Sequence, residues 1–219
     1  MNVLVACECS GTVREAFRKL GHNAWSCDLL PADDASPYHV VGDAMRVIED
    51  ATTSDGRGML PEGTAAQQWD LIIAHPPCTH LAVSGARHFA AKRADGRQQE
   101  GIDLFMAVVA SCEKHAKAWA VENPIGIMSR LYRKPDQIVQ PYMFGDSARK
   151  ATCLWTSNLP LLEATNVVDE GGWHVTKSGR RMPKWYNIPP GNPDRQKIRS
   201  KTFQGIADAM AVQWGTTAI

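Results

Sequence analysis

At 219 residues, 44% of them hydrophobic and 21% charged, the chain has enough apolar material for one domain with a substantial core. A formal net charge of +1 singles out no partner, and no apolar run approaches the ~18 residues of a membrane span. Six scattered cysteines are too sparse for a secreted disulfide framework, so reduced thiols, no leader peptide and a cytoplasmic protein are expected.

In chain order, residues 2–6 read as a short buried strand of parallel type. The turn Cys7-Glu8-Cys9-Ser10-Gly11-Thr12 leads into a helix with Val13, Ala16, Phe17 and Leu20 on one face, stopped at Gly21. Strands are expected over 23–27, ending in Asp28, and over 38–41, ending at Gly42-Asp43. Strand, turn, helix and a strand with an acid at its tip form the pattern of a nucleotide-binding α/β unit. There the turn amides face the ligand and the acid bonds a ribose hydroxyl. Asp28 follows Gly11 by 17 residues, which suits that role. The turn has a single glycine, and Glu8 would repel a pyrophosphate. The ligand expected here therefore carries an adenosine without phosphates, and Glu8 is free to pair with an ammonium group on it. Residues 51–67, rich in Gly, Thr, Ser and Asp, read as a surface loop.

The strand Trp69-Asp70-Leu71-Ile72-Ile73-Ala74 runs into His75-Pro76-Pro77-Cys78. Two prolines end sheet pairing, which leaves Cys78 on a loop beyond the strand's carboxyl end, where open α/β sheets place ligands. Cys78 is a candidate nucleophile, with His75 and His80 assigned to positioning or packing. Cys7-x-Cys9 and His75-x-x-Cys78-x-His80 lack the paired spacing of zinc motifs, so no metal is expected. Residues 79–96, with Ser84-Gly85, Arg87, Lys92 and Arg93, read as a long polar loop of lid type. A helix follows over 98–116, with Ile102, Phe105, Met106, Val109 and Ala110 on its apolar stripe. The next strand, 117–121, ends at Glu122-Asn123-Pro124. Residues 137–143 and 151–155 are expected to pair as strands joined through Phe144-Gly145-Asp146-Ser147-Ala148-Arg149-Lys150, and 203–214 form a last helix. Between 174 and 201 lie eight Lys or Arg against one acid, interleaved with Trp185 and Tyr186 and preceded by Trp173. That stretch reads either as a solvated basic loop or as a phosphate-contacting segment with stacking residues.

Pro76-Pro77-Cys78 after one strand, Glu122-Asn123 at the tip of the next, and Arg149-Lys150 before a later strand resemble the DNA (cytosine-5) methyltransferases in order and spacing. The likeness is greatest to the small phage-encoded type. Ser200-Lys201-Thr202-Phe203-Gln204-Gly205-Ile206-Ala207 looks like that family's closing motif. Three positions depart from the pattern: Cys7-Glu8-Cys9-Ser10-Gly11 replaces Phe-x-Gly-x-Gly, His75 stands where glycine is common, and Arg149-Lys150 replaces Arg-x-Arg.

The resemblance implies an α/β, Rossmann-like S-adenosylmethionine-dependent methyltransferase fold, with a mixed, mostly parallel sheet, flanking helices and a much reduced target-recognition region. Residues 1–156 would be the catalytic and cofactor-binding part, 157–201 a small basic insert, and 202–219 a helix returning to the catalytic part. It further implies that Cys78 adds to carbon 6 of a cytosine. Glu122, its pKa raised by burial, shares a proton with ring N3, and Arg149 or Lys150 holds O2. The cofactor would be S-adenosyl-L-methionine, with Glu8, Ser10, Gly11 and Thr12 at its methionine end, Asp28 at the ribose and Asp43 at the adenine. Pro76 and Gly205 would complete that cavity. The partner would be DNA, its target base flipped out or single-stranded. Ser84 and Arg87 would clamp it, and Lys177, Arg180, Arg181 and Lys184 would grip its backbone. No membrane and no obligate protein partner are implied. Three alternatives stand beside this one: cytosine-5 methylation of RNA or a nucleotide, a non-catalytic DNA-binding decoy, and exocyclic-amine methylation. The last needs an acid, Asn or Ser before Pro-Pro and an aromatic after it, and His75-Pro76-Pro77-Cys78 has neither.

Overall fold

Along β1 (Asn2–Ala6), Val3 and Val5 face one way and Leu4 and Ala6 the other, and all four are completely buried. A strand apolar on both faces needs a layer of helices on each side. The computed structural model, which describes residues 1–50, 68–177, 179–189 and 191–216, has both layers. On the Val3/Val5 face lies α1 (Thr12–Lys19), which buries Val13, Ala16 and Phe17; Leu20, expected on the same stripe, is exposed where the helix ends. After β2 (Asn23–Asp28) and β3 (His39–Val41), α2 (Ala44–Asp50) buries Val47 and Ile48 on the opposite face. The surface loop expected over 51–67 lies outside the described residues. β4 (Trp69–Ala74) repeats the two-sided pattern, with Leu71 and Ile73 against Ile72 and Ala74.

The segment expected to be a polar loop over 79–96 is helical instead, a 3-10 turn at Val83–His88 followed by α3 (Phe89–Ala94). Its alanines, lysine and arginines are strong helix formers, and six residues are too few to show a period. In α4 (Arg97–His115) the buried face runs through Phe105, Val108, Val109 and Cys112, while Met106 and Ala110, expected on the stripe, are exposed. β5 (Ala116–Pro124) extends three residues past its expected end, because Glu122, Asn123 and Pro124 pair with a strand that arrives from outside the parallel set. Proline is tolerated there, at the last paired position. After the single turn α5 (Met128–Leu131), β6 (Gln137–Val139) is shorter than expected, because Pro141 starts a 3-10 turn. β7 (Thr152–Ser157) then runs antiparallel between β5 and β6.

Among the described residues, seven strands form one sheet in the order β3-β2-β1-β4-β5-β7-β6, parallel from β3 to β5. The result is an α/β fold with a mostly parallel mixed sheet flanked by helices, compatible with a Rossmann-like fold. Strand order reverses between β1 and β4, the kind of switch point beyond whose strand ends open α/β sheets place ligands. The basic stretch adds a separate hairpin, β8 (Trp173–Val175) with β9 (Arg181–Pro183), and a short helix, α6 (Arg195–Ser200). The last helix, α7 (Gln204–Gly215), packs beside α1 and buries Ile206, Met210 and Trp214 on the Val3/Val5 side. Among the described residues no helix is long and apolar enough to cross a membrane.

Candidate active site

The site begins where β4 runs out of donors. His75 N–H still bonds Ala6 O at 2.9 Å, but Pro76 and Pro77 have no N–H, so the chain turns out of the sheet. Cys78 O accepts the Leu81 and Ala82 amides, each at 3.0 Å, which closes a tight turn around the thiol. That turn is tied to the chain leaving β5. Val83 N–H bonds Ile125 O and Ile127 N–H bonds Leu81 O, both at 3.0 Å, and Ala82 pairs with Gly126. A Cβ on Gly126 would stand 2.6 Å from Leu81 O, so only glycine lets the two backbones approach this closely. The buried Asn123 side chain completes the clamp, donating to Pro76 O at 2.8 Å. Cys78 and Glu122 therefore sit on two strand ends that move as one body, and not on a lid.

Four charged or polar groups gather near the thiol. Cys78 is half-buried, and its pKa is pushed up by burial and then by the charge of Glu122; Lys150 and Lys92 pull it back down. Burial also pushes the Glu122 carboxyl up. The hydrogen bond from His75 and the charges of Lys150 and His75 outweigh that, leaving its pKa below the ordinary carboxylate range. The raised Glu122 pKa expected from burial is thus corrected by the His75 hydrogen bond and the Lys150 charge. His75 Nδ1 lies 3.2 Å from Glu122 Oε2. Lys92 is buried on α3, with Nζ 2.5 Å from Thr79 O.

Of the two candidates before β7, Lys150 and not Arg149 reaches the site. Lys150 Nζ donates to Ser200 O and Lys201 O, at 3.3 and 3.1 Å. It lines an open pocket with Glu122, Thr152, Thr202, Phe203 and Ile206. Arg149 pairs with Glu170 and stacks on the Trp173 ring at 5.2 Å. Its role is to hold the β8–β9 hairpin, helped by Trp185 Nε1, which donates to Arg149 O at 2.9 Å.

These charges predict thiol reactivity. Because burial and then Glu122 destabilise the thiolate, alkylation of Cys78 by iodoacetamide rises with pH through a midpoint above the ordinary thiol range. Glu122→Gln removes the negative neighbour, lowers that midpoint and speeds alkylation at pH 8 several-fold. Lys150→Met does the reverse. Mass-spectrometric mapping separates Cys78 from the other five thiols; an unchanged rate in Glu122→Gln would show that the carboxylate does not face the sulfur.

At the carboxyl ends of β1 to β3 the structure reassigns several expected ligand contacts. Glu8 is buried and turned inward, its Oε1 accepting Val13 N–H at 2.7 Å and its Oε2 accepting Arg14 N–H at 3.2 Å. It caps the N-terminus of α1. Sequence spacing is blind to this, because the turn folds back on its own helix. Ser10 Oγ lies 3.2 Å from Glu8 Oε1 and 3.1 Å from Thr12 Oγ1, so both hydroxyls serve the same cap. Gly11 has φ +68°, and a Cβ there would clash with the Arg14 guanidinium. That guanidinium is completely buried between Ser26, Glu15 and Asp34. Asp43 Oδ1 accepts the Met45 amide at 2.8 Å and caps α2. Asp28 stands at the tip of β2, where Oδ1 accepts the Leu30 amide at 3.0 Å. It faces the same space as Asp43 and the half-buried Cys7, whose thiol is pushed up to about 12 by burial and then by these two acids. Pro76 is buried, with its carbonyl held by Asn123. Gly205 packs against the Phe144 carbonyl, which gives it a role in closing the fold.

Ser84, Arg87, Lys177, Arg180, Arg181 and Lys184 are all exposed. The first two lie on the 3-10 turn after Cys78. Lys177, Arg180 and Arg181 belong to the hairpin, where Arg181 stacks over Trp173 at 4.8 Å, and Lys184 opens the 3-10 turn that follows it. His75, expected to position or pack, lies beside Glu122, whereas Lys92 as a neighbour of the thiol and Asn123 as the clamp have no signal in the sequence. The sequence reading also missed Leu29 and Leu30, which are 74% and 60% exposed beside Asp28. Two exposed leucines next to a strand-tip acid were a readable signal. Among the described residues no three His, Cys, Asp or Glu side chains converge to hold a metal. Compared with known proteins, the chain matches no family model and no curated protein.

Proposed function

We propose that this protein is an S-adenosyl-L-methionine-dependent methyltransferase that acts on carbon 5 of cytosine in DNA through a covalent Cys78 adduct. The observation that carries the reading is the convergence of Cys78, Glu122 and Lys150 at adjoining strand ends on the carboxyl side of the sheet. Carbon 5 of cytosine is too weak a nucleophile to be alkylated unaided, and adding a thiolate to carbon 6 makes it an enamine. Cys78 would form that bond, Glu122 would protonate N3, and Lys150 would hold O2. A base inside a duplex does not reach a half-buried thiol, so the target is flipped out or single-stranded.

The strand ends at the switch point suit the proposed cofactor. Glu8 already fills the α1 N-terminus with a carboxylate, which disfavours phosphates there. Asp28 stands ready for a ribose, and Leu29 and Leu30 offer apolar surface for a base. When bound, the cofactor supplies the methyl group. The cations in and just after the hairpin, Lys177, Arg180, Arg181 and Lys184, are the proposed backbone grip.

The test is trapping. The protein is incubated with S-adenosyl-L-methionine and duplex, single-stranded DNA or RNA carrying 5-fluorocytosine in many contexts. Fluorine blocks the final elimination, so the expected result is a denaturant-stable adduct that requires cofactor, forms on DNA and is absent in Cys78→Ser. Adducts on RNA alone would move the substrate to RNA. No adduct on any of the three, with cofactor still bound, would leave the amine-methylating and decoy readings. Lys150→Met is expected to slow methyl transfer by roughly 10²-fold, the order seen on removing one stabilising donor, while Arg149→Met chiefly weakens DNA binding.

A further inference from the structure

We propose that His75 is a positioning residue for Glu122: it orients the carboxyl group and shares a proton with it, and this shared proton moves to the ring nitrogen as Cys78 adds. The inference rests on the cytosine-5 reading above.

The contact is built into the sheet. β4 and β5 are parallel, with Ala74 opposite Val121, so the next residues, His75 and Glu122, are neighbours across the strand ends. Side chains opposite one another in register emerge on the same face. Both are largely withdrawn from water, at 11% and 14% side-chain exposure, and Nδ1 stands 3.2 Å from Oε2. Among the described residues this is the hydrogen bond that the Glu122 carboxyl group receives. The other ring nitrogen, Nε2, is buried without a partner among those residues. A histidine kept only to brace two elements normally has both nitrogens satisfied. This ring makes one bond, and makes it to the acid. Burial pushes that acid's pKa up, and the His75 hydrogen bond does most to bring it back down.

The groups facing the pair come from three elements. Lys150 precedes β7 and Cys153 lies on it, Cys78 lies on the loop after β4, and Lys92 of α3 acts on Cys78. With one labile proton the pair is imidazolium–carboxylate or imidazole–carboxylic acid, and is net neutral in either form. The Cys78 thiol first gives its proton to solvent, and as the thiolate forms its bond to carbon 6 the carbon 5–carbon 6 π electrons move into the ring. N3 takes the proton from the Glu122 carboxyl group, and the pair is left as imidazole and carboxylate. The negative charge the sulfur loses is the charge the pair gains, so atoms and charge balance. Reversal of the addition returns the same proton.

The test uses the full chain with 15N-labelled histidine and 13C-carboxyl-labelled glutamate, titrated by NMR without substrate and assigned with His75→Gln and Glu122→Gln. The expected result is that the His75 and Glu122 signals of the unsubstituted protein move together, with common midpoints. His75→Gln then raises the Glu122 midpoint, because the carboxylate loses its hydrogen-bond donor. In single-turnover transfer of labelled methyl to a mixed-sequence duplex, His75→Gln loses roughly 10- to 100-fold in kcat. The acid limb of its pH profile moves to the new Glu122 midpoint, and KM changes little. Independent midpoints overturn the proposal, as does a rate loss that is uniform across pH. Absence of a fluorocytosine adduct in the unsubstituted protein would sink the cytosine-5 reading and the ring-nitrogen destination. The substrate-free titration decides the His75–Glu122 pairing either way, and it does so in the unsubstituted protein even if a variant does not fold.

Discussion

Cys78→Ser is expected to lower methyl transfer by at least about 10³-fold, and by as much as ~10⁶-fold, the range spanned when a covalent nucleophile is removed. A serine hydroxyl in this position stays protonated, so no anion is available to attack carbon 6. The loss is specific to chemistry. The loop is shaped by Pro76, Pro77, the two amides bonded to Cys78 O and the Asn123 clamp, none of which involves the sulfur. Melting temperature and S-adenosyl-L-methionine binding should therefore match the parent, while transfer of labelled methyl and adduct formation disappear. Activity within tenfold of the parent would remove Cys78 from the reaction and with it the cytosine-5 assignment.

Gly205→Ala carries the largest expected effect on stability. The glycine opens α7, its amide donating to Asp146 Oδ2 at 2.9 Å, and an added Cβ would fall deep inside contact distance of the Phe144 carbonyl oxygen. The obstacle is backbone, so it does not yield by rotating. Phe144 is itself buried, and behind Gly205 the helix seats Ile206, Met210 and the completely buried Trp214. Accommodating one methyl therefore means shifting α7 along α1. The expected cost is about 2–4 kcal/mol, or a fall of roughly 5–15 °C in melting temperature for a chain of this size. Thermal unfolding followed by near-ultraviolet circular dichroism measures it, since Trp214 reports on the displaced helix. A fall under about 2 °C would mean that the close approach at Gly205 is not needed. The same experiment separates a folding role from a cofactor role at a position the family resemblance would place in the cofactor cavity.

The chain's own patterns carried the sheet a long way. β1 and β4 lie where two-sided apolar runs placed them, and the Pro76-Pro77 stop put Cys78 beyond a strand end, because a missing N–H is a local property that no packing can restore. The helices were legible where a period repeats and illegible where it does not: α3 is six residues long and was read as a loop. The buried stripe of α4 differs from expectation at two positions, because whether Met106 and Ala110 or Val108 and Cys112 turn inward depends on which neighbour covers the helix.

At the candidate site the division follows the same physics. Sequence by itself determined which reactive groups stand at strand ends, Cys78, Glu122 and Asp28 among them, since strand length and proline are written locally. Only the tertiary structure decided what each group touches. It turned Glu8 inward to cap α1, sent Arg149 to the hairpin and Lys150 to the pocket, and set His75 beside Glu122. Adjacent residues in the chain point to opposite sides of a strand, and residues 47 apart become neighbours through register. Those relations arise between strands, and a single strand's sequence does not contain them.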